Sequence, residues 1–204
     1  MTQAGRSIVV FDLGGVLIDW DPRHLYRKLF ADEAAMEHFL ATVCTREWHR
    51  HHDAGRSFAE GARILKDQHP DKAELIDAFG TRQDEMMAGP IAGAVEILRE
   101  LRDRGTPLYA LSNWPAEGFA QARQRFDFLR WFRGIVISGE IGAIKPQPRI
   151  FEVLLERYAI APLSAIFIDD SEANAAAARL FGIHAIHFTN PAALRADLVA
   201  LGLL

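Results

Sequence analysis

The chain has 204 residues, half of them apolar and a quarter charged, with a formal net charge of −4 from 27 acidic and 23 basic residues. That make-up excludes disordered and fibrous classes, and the negative balance offers no overall positive field to a nucleic acid backbone. Cys44 is the single cysteine, no window approaches the ~20 apolar residues of a membrane span, and residues 1–7 lack the basic and apolar stretches of a secretory signal, so a cytoplasmic protein without membrane or nucleic acid partners is expected.

Ser7-Ile-Val-Val-Phe-Asp12 is a short β-branched run that ends in a charge and then Gly14-Gly15. It predicts a strand buried on both faces and stopped by a turn. From Trp20 to Gly89 no strand pattern occurs, while helical patterns occupy about 24–43, 57–68 and 72–87, opened by Asp21-Pro22 and closed by Gly89-Pro90. The expected organisation is an α/β core of residues 1–19 and 90–204, with a helical cap domain of residues 20–89 inserted after the first strand.

Further along, apolar runs at 107–112, 134–138, 165–169 and 185–188 predict four more strands. Helical patterns at 94–104, 118–132, 150–158, 172–181 and 191–201 alternate with them. Such alternation builds right-handed βαβ crossovers, hence a Rossmann-like parallel sheet of about five strands. Two features stand out from this pattern. The run His49-Arg50-His51-His52 reads as a partly solvated helix, because adjacent residues point to different faces; one histidine facing a site would bring a group that titrates near neutrality. Phe126, Phe128, Leu129, Trp131 and Phe132 are expected in the core, with a homodimer contact as the alternative.

Open parallel sheets bind ligands beyond the carboxyl ends of their strands. There the sequence puts Asp12, then Ser112 and Asn113, then Asp169 and Asp170, and the segment after Ser138 delivers Lys145. Taken singly, each has a plainer use: Ser112-Asn113 and Asp169-Asp170-Ser171 suit helix N-caps, and Lys145 suits a solvated loop. Together, three converging carboxylates must keep a proton or hold a cation, and an all-oxygen set suits Mg²⁺. Lys145 would balance charge or hold an anion, and Ser112 with backbone N–H groups would cradle phosphate oxygens.

Phe11-Asp12-Leu-Gly14-Gly15-Val16-Leu17, Leu111-Ser112-Asn113, Lys145-Pro146 and Phe167-Ile168-Asp169-Asp170-Ser171 resemble, in order and spacing, the four motifs of the haloacid dehalogenase-like (HAD) hydrolases. The resemblance spans nearly the whole chain, includes a helical insertion after the first strand, and implies the strand order 3-2-1-4-5. It further implies that Asp12 is a nucleophile forming an aspartyl intermediate. Mg²⁺ would be held by the carboxylates of Asp12 and Asp170 and the Gly14 carbonyl, with Asp169 close by through water. Ser112 would hold a phosphoryl oxygen, with Asn113 beside it at the substrate, and Lys145 would neutralise charge on Asp12 and on that group. The substrate implied is a small phosphate monoester, a sugar phosphate or similar metabolite.

One position departs from the pattern. Most phosphatases of this superfamily carry a second aspartate two residues after the nucleophile, which protonates the leaving oxygen and then activates water; here that position is Gly14. General acid–base catalysis contributes ~10²–10⁴-fold, so another group must substitute or turnover slows with poor leaving groups. Two alternatives follow. A metal-free 2-haloacid dehalogenase shares the missing aspartate but usually replaces the paired acids, which are intact here as Asp169-Asp170. A non-catalytic binder of phosphometabolites or of a partner protein would have no need of Asp12.

Overall fold

The computed structural model describes residues 8–204. Ser7, expected to begin the first strand, and the rest of residues 1–7 lie outside the described residues. The chain opens with β1 (Ile8–Phe11) and β2 (Ile18–Trp20), then runs through α1 (Arg23–Tyr26), α2 (Glu33–Thr42), α3 (Arg46–Asp53), α4 (Phe58–Gln68) and α5 (Ala73–Thr81) to β3 (Met87–Pro90). Strand and helix then alternate: α6 (Ala92–Asp103), β4 (Leu108–Ser112), α7 (Ala116–Arg125), β5 (Gly134–Ile137), α8 (Ser138–Ile141), α9 (Pro148–Arg157), β6 (Ala165–Asp169), α10 (Glu172–Leu180), β7 (His184–His187) and α11 (Pro191–Ala200).

Five strands form one parallel sheet in the order β5-β4-β1-β6-β7, which is 3-2-1-4-5 counted along the chain, as the motif resemblance implied. β1 is central, and the period-2 alternation of its side chains feeds both faces. Val9 and Phe11 pack with Ile97, Leu98 and Leu101 of α6 and Leu194 and Leu198 of α11. Val10 packs on the other side with Ile150, Phe151 and Leu154 of α9 and the small Ala175 and Ala178 of α10. Helices on both faces explain why these strands read as unbroken apolar runs rather than alternating ones. Phe126, Phe128, Leu129 and Phe132 all enter the first of these clusters, which is the core reading of that aromatic run. The helix expected over 118–132 ends at Arg125, because Phe126 takes an extended backbone and a 3₁₀ turn over Asp127–Trp131 then aims the rings inward.

The helices between β2 and β3 have a separate hydrophobic cluster centred on Tyr26, whose ring lies 5.1 Å from Phe39 and 6.4 Å from Phe79 and whose hydroxyl donates to the Leu75 carbonyl at 2.9 Å. Three helix starts here are fixed by side-chain N-caps: Asp32 accepts from the Ala35 amide, Thr45 from Trp48 and Ser57 from Glu60. These caps correct the sequence reading of this stretch. The single helix expected at 24–43 is interrupted and restarts at the Asp32 cap, and the histidine run belongs to a helix of its own, α3, begun by Thr45. The stretch also carries strand residues the sequence did not disclose. β2 and β3 pair antiparallel, Asp19 opposite Gly89, as a ribbon through which the chain enters and leaves the helical block. Strands of three and four residues, one ending in Pro90, are too short to show a period, and proline is tolerated there because the ribbon is all edge.

Candidate active site

β1 and β6 continue toward each other one residue past β1, where the Asp12 amide donates to the Ile168 carbonyl at 2.8 Å. This sets Asp12 beside Asp169, the last residue of β6, and Asp170, which follows it. On its other flank β1 pairs with β4, whose last residue Ser112 donates its hydroxyl to Asp12 Oδ1 at 2.9 Å. The same oxygen accepts from the Leu13 amide at 2.7 Å. Lys145 reaches in from the loop after α8, its Nζ 2.8 Å from Asp12 Oδ2 and 2.6 Å from Asp169 Oδ2. All of this is buried: Lys145 is 2% exposed and Asp169 fully enclosed.

Asp169 and the Lys145 loop are held by a second set of bonds. Asp169 Oδ1 accepts from the Ser171 amide and from Asn174 Nδ2, both at 2.9 Å. Asn113 spends its amide on the Lys145 backbone, accepting from its N–H at 2.7 Å and donating to its carbonyl at 3.1 Å. Asn113, expected at the substrate, is thus also the brace of the Lys145 loop. Gly15 adopts φ +74°, open to glycine, and a Cβ there would collide with the Asp170 carboxylate. At Gly14 a Cβ would meet nothing closer than Trp20 Cβ at 4.0 Å.

A cavity of about 1310 Å³ opens over this edge of the sheet. Asp12, Gly14, Ser112, Asn113, Lys145 and Asp170 line it, and Asp169 lies behind them. The opposite wall belongs to the helical block, with Arg46, His49, Arg50 and Asp53 of α3 facing in. His49 stacks on Trp20 at 4.9 Å, and burial, aided by the Arg46 charge, pulls its pKa down to about 4. His52 does not reach the cavity; it stacks on Phe58 at 4.6 Å with Nδ1 3.1 Å from the Arg56 carbonyl. Sequence reasoning missed Asn174, Ser138 and Asp53. A polar residue early in the alanine-rich α10 was the only signal for the first, and the other two act through partners far away in the chain.

Charge is not balanced here. Burial pushes the Asp12 carboxyl up to about 7 against the pull of Lys145, with the Asp169 and Asp170 charges adding to the rise. Burial alone would lower Lys145, but the charges of Asp12 and Asp169 outweigh it and hold its pKa above the usual range. Burial and the neighbouring Asp169 likewise raise Asp170. Asp12, Asp169 and Asp170 can each offer a carboxylate oxygen with all three within 4.8 Å of one another. The short bridge between Gly14 and Ile18 uses the Leu13 carbonyl and Gly15 amide, leaving the Gly14 carbonyl outside it. Excess negative charge with hard oxygen donors fits a Mg²⁺ ion.

Residues 7–182 match the model of the haloacid dehalogenase-like hydrolase family, and the chain belongs to that family: it is a hydrolase with a doubly wound α/β core. Among its relatives is the sesquiterpene phosphatase astK of Aspergillus oryzae, 27% identical over 183 residues that cover 89% of each chain. Another is a phosphorylated carbohydrates phosphatase of Thermotoga maritima, 27% identical over 88% of this chain and 83% of the relative. A HAD family enzyme from Bacteroides thetaiotaomicron, solved in complex with magnesium and inorganic phosphate, shares the fold at a TM-score of 0.69 and 24% identity, over 91% of this chain and 96% of that one. Among the described residues no helix is long and apolar enough to cross a membrane.

Proposed function

We propose that the protein is a Mg²⁺-dependent phosphatase that hydrolyses a small phosphate monoester, a sugar phosphate or similar metabolite, through an aspartyl-phosphate on Asp12. The observation that carries this reading is the Asp12 carboxylate, buried at the end of the central strand between Lys145 and the acidic pair. In the first half-reaction an Asp12 oxygen attacks phosphorus and the bond to the leaving alcohol oxygen breaks; in the second, water attacks the same phosphorus and frees Asp12. Ser112 and Lys145 hold phosphoryl oxygens and offset the charge that moves onto them, which is the main demand of phosphoryl transfer. Asp12, Asp170 and the Gly14 carbonyl would hold the ion, with Asp169 orienting Lys145 from behind. The bound Mg²⁺ would supply further neutralisation of the transferring group. Residues 20–89 act as the cap that closes the cavity and selects the substrate, over a core of 1–19 and 90–204.

The phosphatase names of the relatives support this reading. The haloacid alternative is disfavoured by the convergence of Asp169 and Asp170 on Asp12, a donor set that metal-free chemistry does not need. Phosphate release from a panel of phosphorylated metabolites, with Mg²⁺ and with chelator, tests the proposal, alongside halide release from chloroacetate. Activity should require Mg²⁺, and Asp12→Asn should abolish it while leaving the fold intact, since the change is nearly isosteric. Halide release that persists in chelator would overturn it, as would an inactive protein across the panel.

A further inference from the structure

A phosphatase needs a proton for its leaving oxygen, and position 14 has no side chain to give one. The geometry points to Asp53, at the end of α3 on the helical block, as the group that protonates the leaving oxygen and afterwards takes a proton from the attacking water. The inference rests on the phosphatase reading and deepens it.

Four observations carry it. Asp53 is 6% exposed yet lines the same cavity as Asp12 and Lys145. Its Oδ1 is one of two buried side-chain polar atoms that, among the described residues, have no hydrogen-bond partner. A buried carboxyl with an idle oxygen costs stability, and a functional group is where such a cost is retained. Its backbone is fixed to the edge of the sheet: the Ser138 hydroxyl donates to the Asp53 carbonyl at 2.6 Å and accepts from the Trp114 amide at 2.9 Å. Ser138 follows Ile137, which pairs with Ser112, and Ser112 touches Asp12. The backbone of Asp53 is therefore tied to the nucleophile by a short chain of strand pairing and serine hydroxyl bonds, although it comes from the helical block. Lastly, the two least exposed histidines of α3 are poorly placed to donate: His49 is held neutral by burial, and His52 lies away from the cavity.

The ionisable groups around Asp53 are Arg46, His49 and Arg50 of its own helix and Lys145 from the core; on the two helices packed against α3, Glu140 of α8 and Glu60, Arg63 and Asp67 of α4 are exposed, and Lys66 of α4 pairs with Asp77. His49 Nε2 stands 3.8 Å from Asp53 Oδ1, beyond hydrogen-bond reach. Burial pushes the Asp53 carboxyl up to about 7 and the cations oppose it, so it retains its proton toward neutral pH. In the first half-reaction that proton passes to the alcohol oxygen as the P–O bond breaks. In the second, the resulting carboxylate removes a proton from water as the oxygen attacks phosphorus, and Asp53 is restored.

The test compares benzyl phosphate, whose alkoxide leaves only with a proton, with 4-nitrophenyl phosphate, whose phenolate leaves without one. Asp53→Asn should lower the single-turnover rate with benzyl phosphate by about 10²–10⁴-fold and with 4-nitrophenyl phosphate by roughly tenfold or less. The fall in benzyl phosphate kcat/KM above about pH 7 should vanish in the variant, which a merely structural role would not produce. Asp53→Glu keeps the acid and should recover at least about tenfold of the loss; both variants are checked for folding by circular dichroism, and Asp53→Glu carries the test if the asparagine variant unfolds. Equal effects on the two esters, or a glutamate variant as impaired as the asparagine one, overturn the inference and leave the phosphatase reading standing. A wild-type protein inactive on both esters with Mg²⁺ overturns the two together.

Discussion

Two adjacent glycines do opposite work at the mouth of the cavity. Gly15 is required by its left-handed backbone and by the Asp170 carboxylate that occupies the space of a Cβ, whereas Gly14 has free space in front of it. Gly15→Ala should therefore cost about 1–2 kcal/mol in backbone strain and displace Asp170. A chemical melt should register the first effect and weakened Mg²⁺ binding by calorimetry the second; normal ion affinity would show that Asp170 does not hold it. The candidate site residues that the structure brings together stood out in the sequence because chemistry-bearing types stand at strand ends or, for Lys145, in the segment that follows one. What no sequence pattern disclosed is the division of labour among them. Asp169 has both oxygens committed to Lys145, Ser171 and Asn174, and the Asn113 amide is committed to the Lys145 backbone.

At the scale of elements, Ser138 joins α3, β5 and the turn after β4 with one hydroxyl. Removing it as Ser138→Ala leaves the Asp53 carbonyl and the Trp114 amide without that partner, and buried polar groups in this state cost about 1–3 kcal/mol. Urea unfolding should show that loss, and hydrogen exchange should show the end of α3 opening before the sheet does; a loss spread evenly over the chain would show that Ser138 does not tether the two units. Elements were legible in proportion to their length and burial. The five sheet strands announced themselves as apolar runs bounded by turns, because both faces of the sheet are covered. The helical block was legible as helical but not in its divisions, since Asp32, Thr45 and Ser57 set its boundaries by local hydrogen bonds that compete with a continuing apolar period. The β2–β3 ribbon was illegible because pairing over three residues depends on a partner about 70 residues away, and no local propensity records that.

The whole molecule has two hydrophobic units facing one another across an acidic cavity, so its stability should answer to what occupies that cavity. A ligand that binds only the folded state stabilises it by RT ln(1 + [L]/Kd), about 2.7 kcal/mol at a hundredfold excess over Kd. Added Mg²⁺ should accordingly raise the melting temperature, with no comparable effect from an equal ionic strength of NaCl. Asp170→Asn should remove most of the rise; an unchanged melting temperature in the wild-type protein would mean that the carboxylate cluster is relieved by protons instead.

The pairing of Asp19 with Gly89 places the two ends of the helical block one ladder rung apart, with Trp20 packed against both hydrophobic units. An excursion of some seventy residues thus begins and ends at almost the same point of the sheet domain, and its length makes little demand on the chain that carries it, because closure entropy grows only with the logarithm of loop size. The block is in this sense a cassette. Its helices can lengthen, shorten or be exchanged for another set while Asp12, Ser112, Lys145 and Asp170 keep their places, so on the proposed phosphatase reading substrate preference can drift without the reaction centre being rebuilt. The exception is Asp53: if it is the proton donor, this chain has placed one part of its chemistry on the exchangeable piece, and any new cassette must bring an acid of its own.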